Sequence, residues 1–231
     1  MPFGLRNAPS TFQRMVNHVL QPVLHKCCEC YLDDIVIYSS AFEQHYHNVQ
    51  RVLKLLHQAG LTLKLEKCHF FKQKLEFLGY FISSEGIQPQ ESKIRAVQEF
   101  LTPKHPKQIH RFLGLCSWLK SFIPHFSDIA VPLYALTKKK QRWKWGRTEQ
   151  NAFDRLKSCL TRAPVLALPT EESTLELYTD ASDAGLGAEL GQRLSDGTYQ
   201  VLTYASRTLP PPERNYSTTE KECLALIWAC E

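Results

Sequence analysis

Apolar residues recur at helical spacing in some stretches of this chain and at strand spacing in others. In residues 8–20, Phe12, Met15, Val16 and Val19 fall on one face of a helix, with Asn7 placed to cap it and Pro9 in its first turn. The next stretch, CECYLDDIVIYSS, is β-rich and apolar on both sides of a pair of acids. That pattern predicts a hairpin with Leu32, Asp33 and Asp34 at or near its turn. Val49, Val52, Leu53 and Leu56 predict a helix over 42–59 that Gly60 stops. LTLKLEKCHFF and KLEFLGYFIS read as short strands closed by the turn SSEG.

From about residue 90 the texture becomes helices punctuated by proline. ESKIRAVQEF is one; PKQIHRFLGLCSWLKSFI, opened by Pro106 and ended before Pro124, is a second. A third covers roughly 125–138, and a fourth, capped by Thr148, runs to Leu160 ahead of Pro164. Beyond residue 170 strands return as TLELYTD, GLGAELGQRL and YQVLTYASR. The loop LPPPERNY then leads to a helix from Ser217, where Ser217 and Glu220 stand in capping-box spacing.

Composition narrows the class. With 231 residues, 43% hydrophobic and 22% charged, the chain suits one large or two small globular domains and excludes wholesale disorder. Its apolar runs are far shorter than a membrane span needs, and MPFGLRNAPS lacks a secretory pattern, so an intracellular protein is expected. The eight cysteines include one cluster, CCEC, without a second pair at zinc-ligand spacing. Free, mostly buried thiols are therefore expected.

Charge is unevenly spread. Residues 1–103 carry 11 basic and 9 acidic residues, residues 104–147 carry 10 basic residues and the single acid Asp128, and residues 148–231 carry 7 basic and 13 acidic. A basic middle segment suggests a polyanion-binding element beside a carboxylate-rich one. The two tryptophans in KKKQRWKWGR favour contact with a ligand over a purely solvated face. Asp33 and Asp34 have two readings at this point: turn residues, or hard oxygen ligands on an apolar hairpin suited to Mg²⁺.

MPFGLRNAPSTFQ, followed after seventeen residues by YLDD, resembles motifs B and C of reverse transcriptases, in the pattern of gypsy-type long-terminal-repeat retrotransposons. The resemblance continues through GLTLKLEKCHFF, EFLGYFIS, FLGLCSWLKSFIPHFS, APVLALP, LYTDASDAGLGAEL and YASRTLPPPERNYSTTEKE, and so covers essentially the whole chain. It implies an α+β fold: an incomplete reverse transcriptase palm and helical thumb, followed by the N-terminal half of an RNase H-like α/β fold. The implied segments are palm (1–85), thumb (86–147), connection (148–170) and RNase H-like (171–231).

The resemblance also implies roles. Asp33 and Asp34 match the metal-holding pair of motif C, Phe3 and Gly4 the loop lining the incoming nucleotide, and Leu78 and Gly79 the primer grip. Lys138, Lys139, Lys140, Arg142 and Lys144 fall where the thumb meets nucleic acid. Trp118-Leu119-Lys120 departs from the family's aromatic-aromatic-Arg, so individual thumb contacts stay unassigned. Asp180 and Glu222 match two RNase H carboxylates, while Glu220 is left to the helix cap and Asp183 to a turn. For Phe12 and Leu78 taken singly, burial in a core is the simpler expectation.

The implied activity is RNA-directed DNA polymerase with ribonuclease H, using Mg²⁺, or Mn²⁺ as an alternative. The implied partners are an RNA template, a DNA primer, an RNA/DNA hybrid, dNTPs and the rest of the Pol polyprotein, without a membrane. A cytoplasmic or particle-associated location is expected, with the nucleus left open. The family's third polymerase carboxylate precedes MPFGL, and its remaining RNase H carboxylates follow Glu222. The chain alone is therefore expected to be catalytically incomplete. Two readings stand: a fragment of an active enzyme, or a non-catalytic nucleic-acid-binding relic.

Overall fold

The computed structural model describes residues 5–138 and 141–231, and the chain divides into two compact units between Phe77 and Leu78. In the first, helix α1 (Ala8–Leu20) precedes the hairpin of β1 (Cys28–Tyr31) and β2 (Asp34–Ile37), and α2 (Phe42–Gln58) follows it. Val16, Leu20, Val23, Cys27, Cys28, Val52 and Leu56 form the core that joins these elements. Its α1 face differs from the expected one. Val16 and Leu20 are buried, whereas Phe12 and Met15 are exposed, because the face turned to the hairpin runs through Gln13, Val16 and Leu20. Asn7 caps no amide with its side chain.

The stretch read as the strand LTLKLEKCHFF is irregular, with one 3₁₀ turn at Leu65–Lys67. Its apolar residues pack instead on the start of α2: the Phe71 ring lies 5.3 Å from those of Phe42 and His45. Strand β3 (Lys74–Phe77) ends this unit.

The second unit opens with β4 (Tyr80–Ser83) and β5 (Gly86–Pro89), an antiparallel hairpin whose second strand extends past the expected SSEG turn. Helices α3 (Glu91–Gln98), α4 (Pro106–Trp118), α5 (Phe126–Ala135) and α6 (Arg147–Thr161) follow, all near their expected places. The expected cap of α6 shifts by two residues. The Gly146 N–H donates to Glu149 Oε2 at 2.9 Å, and Thr148 lies inside the helix. Strands β6 (Thr174–Ala181), β7 (Gly185–Arg193) and β8 (Tyr199–Thr208) form an antiparallel sheet in chain order. A single helical turn, α7 (Pro211–Arg214), and helix α8 (Thr218–Cys230) complete the unit.

One core runs through α3–α6, from Val97, Phe112 and Phe122 to Phe153, Leu160 and Leu166, and Val201 and Tyr204 of β8 pack against it. Leu166 ties the hairpin to that core, exchanging two backbone hydrogen bonds with Ile87 (2.7 and 3.0 Å). This crossing needs Gly86: a Cβ there would lie 2.1 Å from the Leu166 carbonyl oxygen, and its φ is +131°. A smaller cluster of Leu186, Leu209 and Ala225 holds α8 to the sheet.

The eight cysteines are free: Cys27, Cys28 and Cys116 are buried, three are half-buried, and Cys223 and Cys230 are exposed, so burial is less general than expected. Burial pushes the Cys28 and Cys116 thiols up to about 12, which keeps them protonated and inert. Among the described residues no helix is long and apolar enough to cross a membrane.

Two stability tests follow from these contacts. Gly86→Ala should destabilise the chain by about 1–3 kcal/mol, the usual range for overpacking, in urea unfolding; unchanged stability would contradict the close Leu166 crossing. The second concerns Ser217, whose N–H donates to Glu220 Oε2 at 2.7 Å while the Glu220 N–H donates back to Ser217 Oγ at 3.3 Å. These bonds hold the Glu220 carboxyl below its ordinary 4.5, with the Ser217 N–H the largest cause. A depressed folded-state value stabilises above the unfolded one, and that stability is lost as pH falls through it. Glu220→Ala should therefore lower the Tm at neutral pH, with the difference from the parent chain closing below pH 4.5. A difference independent of pH would remove the carboxylate from the cap.

Candidate functional site

Asp33 and Asp34 stand at the tip of the β1–β2 hairpin, both exposed. Tyr31 pairs with Asp34, so only Leu32 and Asp33 make the loop. Leu32 takes φ +53°, at the loop position that usually calls for glycine. The Gln13 side chain on α1 holds this turn: its Oε1 accepts from the Leu32 N–H, and its Nε2 donates to the Cys30 carbonyl at 3.1 Å and to Asn17 Oδ1 at 2.7 Å. The Cys30 thiol donates to the Leu32 carbonyl at 3.6 Å. Burial raises that thiol above its ordinary 9.0, the carboxylates of Asp34 and Asp33 add to the shift, and Gln13 opposes it. It stays a neutral donor. Two exposed carboxylates on a braced turn suit a hard divalent cation, with water and phosphate oxygens completing its shell. Phe3 and Gly4 lie outside the described residues.

Leu78 and Gly79, at the start of the second unit, both have positive φ (+50° and +80°) in the turn before β4. Leu78 thus occupies a turn position and is half-buried rather than a core residue. A Cβ on Gly79 would lie 3.3 Å from Trp118 Nε1. Tyr80 stacks on Trp118, with ring centroids 6.2 Å apart and 10° between planes, and its hydroxyl donates to the Trp118 carbonyl at 3.0 Å. Trp118 is nevertheless 54% exposed. On α4 the exposed residues Lys107, Arg111, Gly114 and Trp118 recur at spacings of four, three and four, forming one stripe, and open space surrounds Gly114. The stripe carries no acid.

Lys138, Arg142 and Lys144 are exposed, while Lys139 and Lys140 lie outside the described residues. The tryptophans between them have a packing role that the charge pattern alone did not reveal. Trp143 and Trp145 stack on each other and lie against the helical core, and Trp145 Nε1 donates to Gln150 Oε1 at 2.9 Å.

Asp180 lies near the end of β6, paired with Gly187, and its side chain is 64% exposed. A cleft of about 130 Å³ beside it is lined by His125, Tyr178, Glu189 and Tyr204 as well. His125 Nδ1 is 3.8 Å from Asp180 Oδ2, and a Cβ at position 187 would come within 3.0 Å of that nitrogen. The residues after His125 continue the docking: the Ser127 hydroxyl bonds to Ser206 at 3.1 Å, and the Ser182 hydroxyl donates to Asp128 Oδ1 at 2.7 Å. Tyr199 donates to Glu189 at 2.7 Å; burial first, and then this carboxylate, raise its phenol.

Glu222 is exposed on α8, beside Lys221, whose ammonium reaches Asp183 at 2.8 Å. That bond holds the Asp183 carboxyl below its usual value. Asp183 therefore has a structural partner beyond turn formation. Glu220 is committed to the cap with Ser217. Among the described residues no group of three His, Cys, Asp or Glu side chains converges as a metal site. Gln13 and His125 were not singled out by sequence reasoning, and Trp118 was noted only as a departure from the family's pattern. All three lie within quoted motifs, but their contacts span 19, 38 and 55 residues of chain.

Known proteins are similar to this chain in sequence and in fold. Residues 1–82 match the family model described as reverse transcriptase (RNA-dependent DNA polymerase), and residues 145–231 match an RNase H-like domain found in reverse transcriptase. The retrovirus-related Pol polyprotein from transposon 297 of Drosophila melanogaster is 43% identical over 230 residues, which are 99% of this chain and 21% of that protein. The transposon Tf2-3 polyprotein of Schizosaccharomyces pombe is 37% identical over 227 residues, 98% of this chain and 17% of that protein. The chain thus spans about a fifth of the length of these relatives.

A foamy viral protease-reverse transcriptase solved in complex with RNA/DNA hybrid aligns over all of this chain and 31% of its own, with TM-score 0.83 and 25% identity. The same protein in complex with dsDNA aligns with TM-score 0.82 and 25% identity, over all of this chain and 48% of its own. With a reverse transcriptase segment at one end, an RNase H-like domain at the other and Pol relatives aligned along nearly its whole length, the chain belongs to the reverse transcriptase–RNase H family of retrotransposon Pol polyproteins.

Proposed function

We propose that this chain is the part of a retrotransposon RNA-directed DNA polymerase with ribonuclease H that carries the motif C carboxylates, the thumb and the first RNase H carboxylates. The observation that carries this reading is the pair of exposed aspartates on a two-residue turn braced from α1, inside the segment that matches the reverse transcriptase model. Asp33 and Asp34 would hold a divalent cation, Mg²⁺ or Mn²⁺, and Asp180 with Glu222 would contribute to a second metal-dependent site. A bound cation would supply charge for phosphoryl transfer and lower the pKa of the attacking hydroxyl or water. Further ligands are expected from substrate phosphates, water and the rest of the Pol polyprotein.

The chain's own residues do the positioning. The hairpin fixes Asp33 and Asp34 where they stay hydrated, and the turn at Leu78 and Gly79 suits a primer backbone passing close to the protein. Phe3 and Gly4 would line the incoming dNTP. Lys107 and Arg111 on α4, together with Lys138, Lys139, Lys140, Arg142 and Lys144, would neutralise phosphates of the template–primer. Trp118 offers an aromatic face to a sugar or base. The functional division proposed is palm (1–85), thumb (86–147), connection (148–170) and RNase H-like (171–231), and the protein would act in the cytoplasm or in the element's particle.

In the Pol polyprotein that contains this chain, Asp33→Asn should lower primer extension on an RNA template by about 10²–10³-fold, the scale for removing one electrostatic contact to the reacting centre, with hybrid affinity kept within about twofold. Near-normal extension would remove Asp33 from the metal site.

The second test uses salt. Replacing Lys107 and Arg111 together by Gln should flatten the slope of log affinity against log salt for duplex DNA by about 1.8, at about 0.9 per phosphate contact. Replacing Lys138, Lys139 and Lys140 by Gln should flatten it by roughly two to three. A slope unchanged by either set would make that set a solvated surface.

A further inference from the structure

We propose that the Lys221–Asp183 ion pair positions the metal-dependent site of the RNase H-like segment. It sets the first turn of α8, which carries Glu222, against the turn that leaves β6, which carries Asp180. The inference rests on reading Asp180 and Glu222 as ribonuclease H carboxylates. It begins with an anomaly of burial. Lys221, Ala225 and Trp228 recur at spacings of four and three on the side of α8 turned to the sheet, where Ala225 clusters with Leu186 and Leu209. Lys221 stands in that row with its side chain only 9% exposed, and among the described residues it is the one buried side chain that carries a charge. An apolar residue of the same length would hold the helix to the sheet as well or better, because taking an ammonium out of water is costly.

What lysine adds is direction. Its ammonium meets Asp183 Oδ1, on an otherwise exposed carboxylate, at 2.8 Å, so one bond ties a fixed point on α8 to a fixed point in the β6–β7 turn. The turn is held from its other side too. The Ser182 hydroxyl accepts from the N–H groups of Ala184 and Gly185 (3.1 and 2.9 Å) and donates to Asp128 Oδ1 of α5 at 2.7 Å. A Cβ on Gly185 would lie 2.9 Å from that Asp128 oxygen. The turn is thus clamped between α5 and α8, and Lys221 makes the grip from α8. Asp183 follows Asp180 by three residues and Lys221 directly precedes Glu222, so the bond joins the two carboxylate-bearing segments beside the carboxylates themselves. Two of the four acids in these segments are committed within the protein, Asp183 to Lys221 and Glu220 to the Ser217 cap. That leaves the exposed Asp180 and Glu222 for a hard cation.

The test uses the Pol polyprotein that contains this chain, with an RNA/DNA hybrid and Mg²⁺. Methionine keeps the length of the lysine stem without its charge. Lys221→Met should lower kcat for cleavage of the RNA strand by roughly tenfold or more, as loss of reacting geometry does. Its stability in urea unfolding should hold at or above the parent's, since an apolar side chain suits the site. Asp183→Asn should lower kcat as well, and also lower stability, because it leaves the Lys221 ammonium buried beside a neutral group. The two changes act through one bond, so the double variant should lose no more kcat than the larger single loss. Lys221→Arg, which keeps the cation, should retain more of the rate than Lys221→Met. The Kd for the hybrid should stay within about twofold. Without metal, amide exchange in residues 182–185 and in the first turn of α8 should quicken in both single variants, a readout independent of turnover.

Unchanged kcat in both single variants, losses that add in the double variant, unchanged amide exchange, or a loss confined to hybrid Kd would each overturn the inference. If Lys221→Met does not fold, Asp183→Asn and the exchange of residues 182–185 carry the same test. Glu222→Gln is assayed alongside. If it cleaves at the parent rate, the ribonuclease H reading of these acids fails; if it is inactive while both pair variants cleave normally, only the role of the pair fails.

Discussion

A hairpin this short cannot hold a pair of carboxylates in place by itself, since isolated two-stranded ribbons are marginal in water. β1 and β2 have only four residues each, and their loop runs through a leucine at positive φ. Everything about Asp33 and Asp34 depends on α1 pressing against that ribbon. The apolar part of the contact, Val16 and Leu20 against Val23 and Cys28, supplies the free energy, and the polar part, Gln13 on the backbone around Tyr31, supplies the geometry. This division of labour lets the tip remain exposed while the strands behind it are fixed.

The second unit holds its acidic residues differently. Asp180 lies in an eight-residue strand whose register with β7 is continuous from Thr174 to Ala181, so its backbone needs no clamp. What surrounds its side chain comes from elsewhere. The turn that opens α5 brings His125, Ser127 and Asp128 against Asp180, Ser206 and Ser182. Helices α3–α6 and the sheet share a core through Leu166, Val201 and Tyr204, so these helices and the strands of the RNase H-like segment are held together. A nucleic acid bound along α4 would therefore be gripped by the same unit that carries Asp180.

Much of this was legible in the sequence, and the failures have physical causes. Helix α2 stood out because its apolar spacing and its stop at Gly60 are local, and the Ser217–Glu220 box that opens α8 was readable from four residues. The α1 face was read one step out, since Phe12 and Met15 look like core and Gln13 does not. Gln13 is half-buried because it bonds to Leu32, a contact that no helical period encodes. The stretch from Leu61 to Phe71 has the composition of a strand yet folds back on α2. β5 was missed although its hairpin pairing with β4 is local, because the bridge from Ile87 to Leu166 that also holds it is a long-range fact. The tryptophans of KKKQRWKWGR were read by the charges around them, although helix α6 and its core supply their surroundings. The carboxylates themselves came from motifs rather than periodicity, as chemistry usually does.

The most direct test of the central claim is where divalent cations sit. In crystals of the Pol polyprotein with an RNA/DNA hybrid and Mn²⁺, anomalous density is expected against the carboxylates of Asp33 and Asp34, with the Leu32 N–H still donating to Gln13. Density at other residues, with Asp33 and Asp34 bare, would contradict the assignment of this hairpin as the polymerase metal site.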